Sequence, residues 1–187
     1  MAHCTSALAD KPIIPYDLGN LGYQAIGVEH IDEAGDMVGW SIPLSGSSGF
    51  PFYWSQQSGM INLGSCCGGG VANVITDDGV VIGEEQGPAT RRGFYWTASE
   101  GRVNIPLISP GNWQNIREAN PRNGTVIGHE CESSSFTRCN NPRGFAWTQA
   151  GGLEDLGAGC FPFDVNDLGQ VVGFCGNTAF IWTAQQG

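Results

Sequence analysis

The chain has 187 residues, a formal charge of −10 and no Lys/Arg cluster, which excludes the basic patches that hold nucleic acid or an anionic membrane surface. Only 14% of residues are charged and 41% are hydrophobic, and Gly 29 with Pro 10 describes a turn-rich globular protein of many short strands. A chain of this length buries roughly 70% of its unfolded surface, so one domain over 1–187 is expected, and no apolar run approaches the roughly 20 residues that cross a bilayer.

Residues 1–12 read as a tail without the apolar centre of a secretory signal. Ile13 to Gly19, IIPYDLG, is an extended segment, and beyond it the chain repeats. The elements IDEAGDMVG, ITDDGVVIG, ANPRNGTVIG and VNDLGQVVG end at Gly39, Gly83, Gly128 and Gly173, separated by 44, 45 and 45 residues. Each is followed by an aromatic element, GFPFYWS with Trp54, GFYWT with Trp96, GFAWT with Trp147 and AFIWT with Trp182. After the first three comes a leucine element: Leu63 in NLG, Leu107 in IPL and Leu156 in DLG.

Asp/Asn-rich turns ending in glycine supply the positive φ that hairpins demand, and alternating β-branched and aromatic residues flank them. In the last copy this predicts strand A over 161–166, a two-residue turn at Asp167-Leu168, strand B over 170–175 and strand C over 179–183. A strand D follows each tryptophan except the last, and IIPYDLG, which matches Asp155 to Gly157, is assigned that place. The expected fold is all-β: a four-bladed β-propeller of ~45-residue repeats with four antiparallel strands per blade. Its blades lie at 23–64, 71–107, 114–157 and 160–187, and the last is closed by the N-terminal strand 13–19. A ring closed in this way leaves no bare sheet edge and is read as a monomer.

The Gly-Phe/Ala-x-Trp-Thr element and the Asn-x-x-Gly-x-Val-Val-Gly element, at this period, resemble the HAF family of extracellular repeats found in bacterial secreted proteins. The resemblance covers nearly everything after Ile13 and implies a β-propeller-like fold and no particular activity. The chain departs from the pattern at Pro121, where the turn is one residue longer, and in IPL, which lacks the glycine after leucine.

Function is expected where the repeat varies. From repeat glycine to tryptophan, the B-to-C connections span 15, 13, 19 and 9 residues, and these loops share one face with the D-to-A connections. Directly after the repeat glycines stand Trp40, Glu84, His129 and Phe174, with Glu85 and Glu130 beside them; Tyr23, Trp113 and Phe161 come from the D-to-A side. Aromatic rings and carboxylates around one mouth suit a sugar or another polar small molecule, through stacking and hydrogen bonds to hydroxyls. Trp54, Trp96, Trp147 and Trp182 recur and are assigned to the core. His129, Glu130, Glu84 and His30 are the candidate acid–base groups, although His129 and Glu130, as neighbours on a strand, face opposite ways.

No nucleophile elbow, metalloprotease helix, phosphate loop or dinucleotide fingerprint is present, so no cofactor is expected and no metal is assigned. Gly68 to Gly70 reads as a loop, Thr76 to Gly79 as a hairpin turn, and the sequon Asn123-Gly124-Thr125 falls in a repeat turn. Seven cysteines point to an oxidising compartment and a secreted protein. Cys160 should face Cys175 across the last A–B hairpin, Cys131 and Cys139 bracket the longest loop, and Cys4 is a partner for Cys66 or Cys67. The leading expectation is a binding module for a small polar ligand, glycan or protein surface. A lyase, isomerase or cyclase and a structural or adhesive repeat are the alternatives.

Overall fold

Alternating apolar residues between glycine turns fold the chain into strands in the computed structural model, which describes residues 16–19, 21–22, 25–44, 48–64, 68–87, 91–132 and 139–185, with no helix among the described residues. Sheet 1 is β1 (Ala25–Ile31), β2 (Met37–Ile42), β3 (Phe50–Ser55) and β4 (Gly59–Asn62). Sheet 2 is β5 (Gly70–Ile75), β6 (Val81–Gln86), β7 (Arg91–Thr97) and β8 (Gly101–Asn104). Sheet 3 is β9 (Trp113–Ala119), β10 (Val126–Glu132), β11 (Asn140–Thr148) and β12 (Gly152–Ala158), and sheet 4 is β13 (Cys160–Val165), β14 (Val171–Cys175) and β15 (Thr178–Trp182). Every described pairing is antiparallel between neighbours in sequence, so each sheet is a simple meander.

The four first hairpins share two devices. The residue after the first strand, Asp32, Thr76, Asn120 or Asn166, caps the turn with its side-chain oxygen, and a left-handed glycine closes it, as at Gly169 with φ 72°. A one-residue bulge then interrupts each first strand, at Glu29, Asn73, Arg117 and Phe163. In the last hairpin the turn is a residue longer than the two-residue form expected, because Asn166 pairs with Gln170. The bulge at Phe163 shifts the register back, and Cys160 does stand opposite Cys175.

The repeat glycine is a packing requirement. A Cβ on Gly83, Gly128 or Gly173 would lie 2.5, 2.9 or 2.8 Å from the ring of Phe94, Phe145 or Phe180 on the third strand. At all four positions, Gly39 included, it would also strike a carbonyl oxygen of the first strand, that of Gly27, Val71, Asn115 or Phe161. The phenylalanine thus lies flat over the middle of the second strand, and no other residue leaves it room.

Sheets pack face to face in chain order, 1 on 2, 2 on 3 and 3 on 4. Each interface sets a valine or isoleucine of the second strand (Val38, Ile82, Ile127) and a residue beginning the D-end turn (Leu63, Ile105, Leu156) against the next sheet's phenylalanine and tryptophan. Tyr53 meets Trp96 at 5.2 Å and Tyr95 meets Trp147 at 5.2 Å, so the recurring tryptophans are interface residues. The equivalent of Leu63 in sheet 2 is Ile105, and not Leu107: both amides bond back to the third strand in the same way, Leu63 to Pro51 and Ile105 to Gly93. Pro106 therefore replaces the turn glycine, and Leu107 lies in the connection to sheet 3.

The closing strand differs from expectation. Residues 13–15 and Tyr23 lie outside the described residues, and Tyr16 to Gly19 forms a turn rather than a strand. That turn copies the D-end motif, with Asp17 accepting from Gly19 as Asn62 does from Gly64 and Asp155 from Gly157. Its Tyr16 ring meets Trp54 of sheet 1 at 5.9 Å, and among the described residues β15 has β14 as its only neighbour.

Cys131–Cys139 and Cys160–Cys175 are disulfides, a state that belongs to an oxidising setting; Cys4, Cys66 and Cys67 lie outside the described residues. With four of seven cysteines bridged, no more than three should alkylate before reduction, and alkylation of all seven in native protein, read by intact mass, would remove both bridges. Gly128→Ala should cost about 1–3 kcal/mol in urea unfolding, the usual penalty of overpacking; an unchanged midpoint would show that both the Phe145 ring and the Asn115 carbonyl can move aside.

Candidate functional site

The B-to-C loop of sheet 1 and the D-to-A connection meet, as Gly70 N–H donates to the Gly49 carbonyl at 2.7 Å and Gln86 N–H to the Gly69 carbonyl at 3.0 Å. Between them lies a groove of about 370 Å³ lined by Trp40, Ser48, Gly49, Gly69, Gly70 and Glu84. Trp40 is half-buried, its indole over Gly27 where a Cβ would lie 2.5 Å from the ring. Its Nε1–H donates to Glu29, the bulge residue of β1, at 2.9 Å. The indole is thereby fixed in orientation, as a stacking platform must be.

Glu84 reaches the same groove from β6 and accepts from Arg91 Nη2 at 2.7 Å and Nε at 3.3 Å. The Asn115 amide oxygen accepts from Arg91 Nη1 at 3.0 Å, which ties sheet 2 to sheet 3. This Glu84–Arg91–Asn115 chain fixes the carboxylate that lines the groove, while Arg91 and Asn115 are not among its lining residues.

The other predicted aromatic residues gather elsewhere, where sheet 3 meets sheet 4. His129 lies 6.2 Å from Trp113 and 5.0 Å from Phe161, and Phe161 stacks on Phe174 at 5.3 Å. Phe163 adds a ring 5.4 Å from Phe174, with the Arg117 guanidinium 5.3 Å above it. Burial, and then the positive charges of Arg91 and Arg117, hold the His129 pKa below its ordinary 6.5, so the imidazole is neutral at pH 7. The neutral imidazole packs between two rings, those of Trp113 and Phe161.

Three candidate carboxylates, the acid–base candidates Glu130 and Glu84 and the ligand-binding candidate Glu85, have structural partners. Glu130, fully buried, accepts from the backbone N–H groups of Ile108 at 2.6 Å and Ser109 at 3.1 Å, and so closes the connection between sheets 2 and 3. Glu85 is buried and ion-paired with Arg102, which lies 4.0 Å over the Phe94 ring and donates to the Gly64 carbonyl. Glu84 keeps its arginine. His30 is half-buried on β1 with Nδ1 unpartnered among the described residues.

His129 and the sulfurs of Cys131 and Cys139 lie within 4.8 Å of one another, but the sulfurs are joined to each other and are not thiolates, the form that ligates metal. Asn123, the sequon residue, donates to the Asn166 carbonyl at 3.1 Å and accepts from Thr125 N–H at 2.9 Å, so its amide links successive turns.

Sequence reasoning missed Arg91, Asn115 and the bulge residues Glu29, Arg117 and Phe163. The bulges carried a signal, since they fall two residues before the last residue of each first strand, where the four copies differ most in chemistry. Cavities of about 450 and 360 Å³ at the opposite end are bounded by Trp147, Trp182 and the turns of successive sheets.

A histidine buried neutral supplies stability that is complete above about pH 6.5 and is lost as the pH falls from there through its lowered folded value. Melting temperatures between pH 7.5 and 5 should fall less in His129→Gln than in wild type; parallel curves would mean that the imidazole is not buried. No protein-family model matches the chain, and no curated protein matches it.

Proposed function

We propose that the chain is a secreted binding module with propeller-type blades, and that its groove between sheets 1 and 2 takes a polar, ring-bearing ligand of the glycan class. The observation that carries this reading is the meeting of a fixed, half-exposed Trp40 indole with the Glu84 carboxylate in one open groove. A pyranose offers an apolar face to such a ring and hydroxyls to the carboxylate. Binding needs no group beyond these, whereas the enzyme reading requires carboxylates that are already engaged with Arg91, Arg102 and backbone N–H groups.

The propeller reading is supported by three interfaces built alike and by bulge residues of neighbouring sheets that approach each other, Arg117 over Phe163. The HAF-type assignment rests on the repeat residues that resemble that family, and the secreted location on the two disulfides. A glycan array followed by calorimetry on the best hit tests the proposal. Trp40→Ala should weaken binding at least tenfold, about 1.4 kcal/mol; Glu84→Gln should weaken it too, and should also lower the melting temperature because Arg91 loses its partner. An array without hits, or a hit indifferent to Trp40, would overturn it.

A further inference from the structure

Repeat-equivalent positions reveal two bare faces. The first strand's inner-facing residues are covered by the preceding sheet in sheets 2, 3 and 4: Ala72 and Ile75 are 0% exposed, Ala119 3% and Val165 5%. Val28 and Ile31, which pair with Gly39 and Met37 as Ala72 and Ile75 pair with Gly83 and Val81, are 47% and 54% exposed. Ile26, on the same face, is 36% exposed.

The opposite end mirrors this. Val38, Ile82 and Ile127 on the second strand are 0% exposed beneath the following sheet, yet Val172 at the same place in sheet 4 is 42% exposed. Ile181 stands where Tyr53, Tyr95 and Ala146 meet the next sheet, and it is 64% exposed. Monomeric proteins seldom leave β-branched residues bare at positions that their own repeat covers, and the positions of Ile31 and Val172 are buried in all three other sheets.

These faces are unlike and complementary: one is the leading side of a sheet, the other the trailing side, and the chain joins that pair three times internally. We infer that sheet 4 of one copy docks on sheet 1 of a second copy, head to tail, reproducing the interface that joins sheets 1 to 2, 2 to 3 and 3 to 4. The contact is heterologous, and it propagates unless copies close into a ring. β15, which has no outer neighbour among the described residues, would meet the partner's segment around Tyr16, whose turn already copies the D-end motif. A copy rather than an unrelated protein is the occupant because its sheet 4 presents Val172 and Ile181 at the second- and third-strand positions that Val38 with Tyr53, Ile82 with Tyr95 and Ile127 with Ala146 use at the internal interfaces. Ligand binding in the groove is independent of this contact.

Sedimentation velocity over a concentration range, with free thiols alkylated, tests it. Wild type should show masses of at least two 19.8 kDa chains, rising with concentration. Two variants, Val28→Asp with Ile31→Asp and Val172→Asp with Ile181→Asp, should each run as a single chain. Their 1:1 mixture should form a heterodimer, since each retains the face the other has lost. Near-UV circular dichroism checks that both variants are folded. Wild type at 19.8 kDa throughout, as in a chain closed on itself, would overturn the inference; so would association lost in only one variant, or a mixture that stays monomeric.

Discussion

The contact between the repeat glycine and the phenylalanine one strand away governs this architecture, because it sets how closely the second and third strands of each sheet can be covered. With Gly83 beneath Phe94, the ring lies along the sheet and leaves Val81 and Ala72 level beside it. A level apolar face is what allows the preceding sheet to seat Val38 and Leu63 against it with no bulky side chain between. The same fit repeats under Phe145 and Phe180, so the interfaces are copies because the glycines are copies.

A scaffold fixed in this way frees the ends of the strands. The loops beyond Trp40 and Glu84 vary in length without disturbing the glycine contact, and the groove forms where they cross. The bulges serve similarly: the extra residue is left out of the ladder, so its side chain is chosen by function or local chemistry and not by sheet packing. Glu29 holds the Trp40 indole, while Arg117 caps Phe163, and neither touches the inter-sheet core.

Charge is used sparingly, and three carboxylates are placed inside. Glu84 with Arg91, Glu85 with Arg102, and Glu130 with two backbone amides each remove a carboxylate from the surface. Breaking one of these contacts would leave a poorly solvated charge, which is costly, so they specify how neighbouring sheets and connections meet more than they add to stability. Of the groups that the sequence offered for function, Glu84, Glu85 and Glu130 are engaged in this structural use.

What the sequence determined by itself was the local and periodic part: all-β meanders, turns ending in glycine, tryptophans at interfaces and the facing pair Cys160 and Cys175. Those follow from backbone geometry and from apolar spacing, which act within a few residues. Tertiary structure decided the rest. Register errors at the turn and at Phe163 offset one another only once both were folded, Ile105 replaced Leu107 because hydrogen bonding and not letter matching sets equivalence, and Trp40 was parted from Trp113 by the spacing of sheets. Whether a face is covered depends on where sheet 4 lies relative to sheet 1, and that is set by the sum of three packing rotations, to which no single stretch of sequence points.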